Sequence, residues 1–429
     1  MARRQVVITG LGIVAPLFRS IGEFWDGLVS GVSAVRPYHG GGGLISLAAP
    51  ANFEGNINEF ESIDTAQQKG IRKNLKVMSR EIQMAVAASS RALSCAGIQI
   101  GQFPSDRIGI SFGSDYILTT VDDVIDGIRS CTDDKGFDYS RWGICGLPKM
   151  QPLWQLKYLP NMPASHIAIL NDFHGPSNSM TLREASVGAV IGESIKIIAD
   201  GRADIMLTGT TGSRLHPFKM IHAYQQEELT QSACRPFDLR RDGTVLGEGA
   251  GAIVLEEREH AEKRGATIWA QAVCGVYRIQ PQSPRNAVRS VLETVLRQNA
   301  LTPDGIGHIS AHGLGSRAAD KAEAEAIQDV FGSRKTPVPV TAMKGIFGNL
   351  GAGSGMVELI GSVLALKNGQ LFPTVNYAQP DAECPLHLVT SKNAAEAIPS
   401  GTVSLAENYC IKTSFNPQGQ ASAVLIRRI

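Results

Sequence analysis

One pattern occurs twice in this chain and constrains its fold more than any other feature. In the first half a helical stretch ends at Ala96-Gly97 and is followed by Pro104-Ser105-Asp106-Arg107-Ile108-Gly109-Ile110-Ser111-Phe112-Gly113-Ser114. In the second half a helical stretch ends near Asn299-Ala300 and is followed by Thr302-Pro303-Asp304-Gly305-Ile306-Gly307-His308-Ile309-Ser310-Ala311-His312-Gly313. Both read as helix, Asp turn, Ile-Gly, strand, glycine. Each half later enters a nearly all-apolar helix through a Gly-rich turn, Glu184 to Asp200 and Asn349 to Lys367. Each then closes on an apolar strand, Ala252-Ile253-Val254-Leu255 or Ala423-Val424-Leu425-Ile426. Two similar halves, residues 1–257 and 258–429, are therefore expected to fold face to face. The starts of the two buried helices would meet at a shared centre, and a site is expected there.

Short apolar runs alternate with helical periodicity, which predicts α/β layers. The strand candidates are Val6 to Thr9, Ile108 to Phe112, Ile205 to Thr208, Ala252 to Glu256, Ile268 to Val273, His308 to Ser310, Leu386 to Thr390 and Ser422 to Ile426. The helix candidates are Ser79 to Ala96, Val187 to Asp200, Pro284 to Asn299, Ala319 to Phe331 and Gly355 to Lys367. At 429 residues the chain exceeds what one core usually covers, which a duplicated unit accommodates. Its 45 glycines suggest closely packed backbones, and its low charge suggests that an oligomer covers part of the surface.

Composition also excludes function classes. With 41 basic against 40 acidic side chains there is no global footprint for nucleic acid or an anionic membrane, though a local patch is compatible with the balance. Seven scattered cysteines, with no CxxC, read as reduced thiols of a cytoplasmic protein without a metal site. No apolar run is long enough to span a membrane. The start, Met1-Ala2-Arg3-Arg4 before Val6-Val7-Ile8-Thr9-Gly10-Leu11-Gly12, reads as a first buried strand and turn rather than a signal peptide. The run Gly40-Gly41-Gly42-Gly43 lacks the Lys-Ser/Thr and strand-to-helix setting of a phosphate loop and reads as a mobile loop.

Three segments carry chemistry: Gly175-Pro176 through Glu184-Ala185-Ser186-Val187-Gly188; Ala311-His312-Gly313-Leu314-Gly315-Ser316 with Asp320 and Glu323; and Met343-Lys344-Gly345-Ile346-Phe347-Gly348-Asn349-Leu350-Gly351. Together with Arg235-Pro236-Phe237-Asp238, Arg241-Asp242-Gly243, Gly247-Glu248-Gly249-Ala250-Gly251 and Pro160-Asn161-Met162, they resemble the β-ketoacyl synthase family of the thiolase superfamily along essentially the whole chain. The resemblance implies a thiolase-like fold of α/β/α/β/α layers, each half with a five-stranded sheet, and a dimer. It implies no bound cofactor, since acyl chains ride on the phosphopantetheine of acyl carrier protein. The Arg235 to Gly251 signature reads as architecture, and Cys145 and Cys234 as packing residues.

In that family a cysteine at the start of the buried helix takes an acyl group and condenses it with a decarboxylated malonyl unit, while two histidines hold the thioester oxygen. Carried over residue by residue, the nucleophile position is Glu184, the first histidine is His312, and the lysine is Lys344 with Glu323 as its expected orienting partner. The second histidine position is Asn349. In the C-terminal run Ser414-Phe415-Asn416-Pro417-Gln418-Gly419, Pro417 stands at the gate and has no N–H for an oxyanion hole. A carboxylate suits a helix N-terminus electrostatically but is a poor acyl acceptor. An ionised Glu184 about 4 Å from a malonyl carboxylate would oppose it by about 1 kcal/mol in water and about 4 at an effective dielectric of 20. Decarboxylation is thus disfavoured unless burial keeps Glu184 protonated.

The expected function is a chain-length-factor-like subunit, the non-condensing partner of a cysteine-bearing ketosynthase on carrier-bound acyl chains, or otherwise a homodimer. Three alternatives stay open. One is altered chemistry (decarboxylase, hydrolase or acyl transferase) using Glu184, His312 and Asn349. The second is condensation through an unrecognised nucleophile. In the third, Glu184 merely caps a helix while His312 and Lys344 hold structure.

Overall fold

The computed structural model describes residues 4–60, 63–391 and 408–429; Met1, Ala2 and Arg3 lie outside them. The ten principal strands are β1 (Val6–Val14), β2 (Ile108–Ser114), β3 (Ser177–Met180), β4 (Ile205–Ser213), β5 (Leu246–Glu257), β6 (Ala270–Ile279), β7 (Ile306–Ser310), β8 (Pro339–Thr341), β9 (Tyr409–Phe415) and β10 (Gln420–Arg427). They lie in the order β8-β7-β9-β10-β6-β1-β5-β4-β2-β3, with a two-residue strand His387–Leu388 beyond β8. From β3 inward the first half runs β3-β2-β4-β5-β1; from β8 inward the second runs β8-β7-β9-β10-β6. Every strand of the second half thus stands where its counterpart five strands earlier stands in the first. The directions repeat as well: β2 pairs parallel with β3 and β4, and β7 parallel with β8 and β9. The remaining neighbours among the ten are antiparallel, and β1 joins β6 through Val7↔Gln271 and Ile8↔Ala270.

The main helices repeat in the same way: α1 (Arg80–Ala96), α2 (Met162–Asn171) and α3 (Ser186–Ala199), then α4 (Pro284–Gln298), α5 (Arg317–Phe331) and α6 (Ala352–Asn368). Local chemistry sets their ends. Ser79 caps α1 by accepting from Ile82 N–H and Gly97 ends it in the left-handed conformation; Ser316 caps α5, and Gly369 ends α6. α1 and α2 cover the outer face of the first sheet with one apolar cluster, and α4 and α5 cover the second with another. α3 and α6 lie between the sheets in a third. The five layers follow.

The glycines explain how the middle layer closes. A Cβ on Gly192 of α3 would sit 2.3 Å from the Gly275 carbonyl of β6, and one on Gly353 of α6 would sit 2.2 Å from the Gly249 carbonyl of β5. Each buried helix therefore presses a glycine against the sheet of the other half. A Gly355 Cβ would meet Val187 at 2.6 Å, so the first turns of α3 and α6 touch. The shared centre lies between them.

Three of the ten principal strands fall outside the sequence candidates: β3, β8 and β9. β3 interrupts the stretch read as a turn before Glu184, and the Ile268 to Val273 candidate begins two residues later, at Ala270. Gly41–Gly43 forms a 3₁₀ turn. All seven cysteines are free. Among the described residues no helix is long and apolar enough to cross a membrane, and no group of metal-ligating side chains forms.

Candidate functional site

Glu184 lies in a 3₁₀ turn, Arg183–Ala185, that leads straight into α3, and it is buried. Arg183 holds a φ of 52°, a left-handed conformation that a residue other than glycine adopts only at a cost. This kink turns both side chains inward. Glu184 Oε1 accepts from Arg214 Nη1 at 3.3 Å, and Oε2 faces Arg183 Nε at 3.7 Å. Arg214, at the end of β4 and equally buried, also donates to Glu227 Oε1 at 2.5 Å, with Arg183 Nη2 at 3.7 Å from the same oxygen. Two carboxylates and two guanidinium groups form a buried, balanced set.

Burial alone would push the Glu184 carboxyl up. Arg183, Arg214, its own backbone N–H and Lys344 together outweigh that and hold it below the ordinary carboxylate range, so it is ionised at neutral pH. Burial likewise opposes the charge of Arg214, but Glu227 and Glu184 overcome it. Next to this set Asp115 is pushed up by burial, with Lys219 4.0 Å away and Glu184 adding repulsion; Lys219 itself pairs with Glu81 at 3.2 Å. A chain of buried charges thus runs from α3 to the start of α1.

The second group is built on the turn after β7. His312 is buried, with its ring 4.8 Å from that of Phe415 at the end of β9. Its loop is held by α5: Glu323 accepts from His312 N–H (2.8 Å), Gly313 N–H (2.9 Å) and the Thr413 hydroxyl (2.7 Å). Asp320 accepts from Gly315 N–H at 3.0 Å and Phe237 N–H at 2.7 Å. Burial pushes Asp320 up to about 7. Glu323 therefore positions the His312 backbone and does not orient Lys344 as expected. The partner of Lys344 is Glu358 of α6, at 2.7 Å. The reason is the register of α6: Glu358 faces Lys344 from a fully buried turn, while the Glu323 carboxylate is already spent on three donors.

Lys344 Nζ also donates to the His312 carbonyl at 2.7 Å and lies 3.1 Å from His312 Nδ1. An ammonium has no lone pair, so Nδ1 accepts and the imidazole proton sits on Nε2. Burial first, then the charges of Lys344, Lys412 and Arg214, hold the His312 pKa well below the usual histidine value. The ring is therefore neutral and presents one N–H donor. Asn349 is buried at the entry to α6, where its amide oxygen accepts from Gly351 N–H (3.0 Å) and the Ser354 hydroxyl (3.3 Å). It caps a turn and can offer a ligand only N–H groups.

Phe415 is buried and Pro417 is exposed, in the turn between β9 and β10. Both line a cavity of about 310 Å³ with Leu314, Ser316, Pro284 and Glu227. Arg183 Nη1 reaches this turn, donating to Gln418 Oε1 at 3.3 Å, so the turn before α3 and the C-terminal hairpin are tied together. The Arg235 to Gly251 segment is architectural: Asp238 accepts from Ala378 and Gln379 N–H, and Arg241 pairs with Asp381. Sequence reasoning missed Arg214, Glu227, Glu358 and Lys412. The signal for Glu358 is a single charge within an apolar run, Gly355-Met356-Val357-Glu358-Leu359-Ile360.

Residues 3–261 match the β-ketoacyl synthase N-terminal domain and residues 267–378 the β-ketoacyl synthase C-terminal domain. The chain is 29% identical over 404 residues to the 3-oxoacyl-[acyl-carrier-protein] synthase 2 of Coxiella burnetii, covering 91% of this chain and 93% of that one. Its fold matches a β-ketoacyl synthase from Burkholderia phymatum with a TM-score of 0.84 at 25% identity, over 99% of this chain and all of the other. It also matches the ishigamide ketosynthase/chain length factor with a TM-score of 0.83 at 24% identity over the full length of both chains. With both family domains present in order over most of its length, the chain belongs to the β-ketoacyl synthase family.

Proposed function

We propose that this chain is a non-condensing family member, a chain-length-factor-like subunit. In this reading it pairs with a cysteine-bearing ketosynthase in the cytoplasm and shapes the compartment in which an acyl chain grows on acyl carrier protein. The observation that carries the reading is the state of Glu184: an ionised carboxylate clamped between Arg183 and Arg214 where the family places its thiolate. Held between two guanidinium groups, it is a weak nucleophile toward an acyl carbon, and its charge opposes an incoming malonyl carboxylate. Pro417, without an N–H, and Asn349, with its oxygen committed to a cap, agree with it.

Carrier docking has its own support. Lys69, Arg72 and Lys73 of the helix Thr65–Asn74, with Lys76 just beyond it, recur at i, i+3, i+4 and i+7 and are all exposed. No acidic residue occurs between Thr65 and Ser79. This local basic stripe, on a chain of net charge +1, suits an acidic carrier protein. It ends four residues before Arg80, where α1 starts beside the buried charges.

A second reading rests on His312: neutral, with its Nε2–H free of the Lys344 contact, it can still polarise a thioester carbonyl. One experiment separates the two. The chain is purified alone and after co-expression with a neighbouring cysteine-bearing ketosynthase, then incubated with radiolabelled malonyl- and acyl-carrier protein. A heterodimer, with no turnover and no acylation of this chain by intact mass, is expected. A homodimer indifferent to every such partner sinks the proposal. Turnover lost in His312→Ala or Glu184→Ala establishes the second reading instead.

A further inference from the structure

Lysines are rarely placed on the buried face of a central strand, yet β9 carries one. Along Tyr409-Cys410-Ile411-Lys412-Thr413-Ser414-Phe415 the faces alternate: Ile411 and Phe415 join the outer apolar cluster and Thr413 reaches Glu323 of α5, while Cys410 joins the central cluster. Lys412 therefore points towards α6. There its Nζ lies 2.8 Å from Glu358 Oε2, and it donates to the Thr413 carbonyl, with the Ala311 carbonyl 3.5 Å away. It is fully buried.

Glu358 thus stands between two ammonium groups, Lys344 on Oε1 and Lys412 on Oε2. The Lys344–Glu358 pair is balanced without Lys412, so a second buried cation needs a reason. Glu323, three side-chain and backbone donors deep beside the same loop, supplies it. Without Lys412 the groups around His312 would be one cation, Lys344, against two anions, Glu358 and Glu323. That excess negative charge would work against the burial that keeps the imidazole neutral and favour a proton on it. With Lys412 the set is two against two. The charge of Arg214 also acts on the ring, but Glu184 and Glu227 already balance it and Arg183.

We propose that Lys412 is a positioning residue for His312: it completes the buried charge balance and pins Glu358, so that Lys344 stays aimed at Nδ1 and His312 remains a neutral ring with its proton on Nε2. Lys344 has three N–H donors and three acceptors, Glu358 Oε1, the His312 carbonyl and His312 Nδ1, so the arrangement is saturated only while Glu358 keeps its orientation. The inference concerns the site of the proposed function but uses protonation of one ring as its readout. Its failure leaves the pairing with a ketosynthase untouched, and the failure of that pairing leaves this intact.

The test is nitrogen NMR of the full chain with labelled histidine, followed from about pH 5 to 9, the range in which an ordinary histidine titrates. The native chain is expected to show a His312 signal of the Nε2–H form with no titration. Lys412→Met is expected to bring a His312 titration into the window and to lose the single tautomer; Lys412→Arg is expected to restore the native signal. Glu323→Gln added to Lys412→Met removes the excess negative charge and is expected to suppress the titration again. A folded Lys412→Met chain whose His312 keeps one tautomer and does not titrate overturns the proposal. If Lys412→Met does not fold, Lys412→Gln, which keeps a donor without the charge, gives the same two outcomes.

Discussion

The two halves of the centre use the same materials to opposite ends. At the start of α3, Glu184 is gripped by Arg183 and Arg214, and its charge is consumed by its own chain. Across the gap, Lys344, Lys412, Glu358 and Glu323 spend their charges on one another and on the backbone, and leave His312 with a free N–H. Both regions are buried and ionic. One ends in an anion held between two cations, its Oε2 accepting no hydrogen bond; the other is organised to keep one donor available. Buried charge by itself therefore does not mark a reactive group. The two sets differ in what they leave over, a carboxylate oxygen facing a cation in the first and an N–H donor in the second.

The sharpest way to break this contrast is Arg214→Met. It strips both Glu184 and Glu227 of their closest cation, and about 3–5 kcal/mol of stability should be lost by urea denaturation. A loss below about 1 kcal/mol would mean that the clamp is slack and Glu184 free. Next in size, Glu323→Gln weakens three hydrogen bonds to the His312 loop and should cost about 2 kcal/mol, with hydrogen exchange rising at His312 and Gly313. Unchanged exchange there would show that the loop does not need its carboxylate.

A pH series sharpens the same side. Asp320 has a folded pKa of about 7 against 3.8 for the free group, so the folded state binds the proton more tightly. Its contribution to stability is fully present below about pH 4 and is lost as pH rises to about 7, by at most about 1.4 kcal/mol per pH unit, levelling off above. Asp320→Asn should flatten that part of the melting-temperature profile, and an unaltered profile would place the titration elsewhere. The smallest effect on stability, under about 0.5 kcal/mol, is expected for Lys69→Glu with Lys73→Glu, because both side chains are exposed. Association with acyl carrier protein should nevertheless weaken at least about tenfold at low salt, as surface charge sets encounter. Equal binding would move the docking surface away from that stripe.

Much of this was legible from the chain itself. The repeated Ile-Gly strand and Gly-rich helix entry imply two like halves, and the strand order bears that out. His312, Lys344 and Glu184 could be named because they stand in motifs whose spacing is continuous along the chain. The partners of those residues could not, since Glu358 and Lys412 reach Lys344 only after α6 and β9 have packed. β3, with the sequence Ser177-Asn178-Ser179-Met180, and β9, with a lysine at its middle, escaped detection because polar residues mask the apolar run that periodicity relies on. Where tertiary packing supplies the reason for a residue, local pattern has nothing to show.

The glycine contacts of the middle layer carry one more consequence. Because α3 presses Gly192 on Gly275 and α6 presses Gly353 on Gly249, each half leans on a backbone groove that only the other provides. A chain severed after residue 257 would leave α3 lying on an unfinished floor. The repeat is thus plain in the sequence and in the strand order, yet it offers no line along which the molecule could be parted with both buried helices still covered.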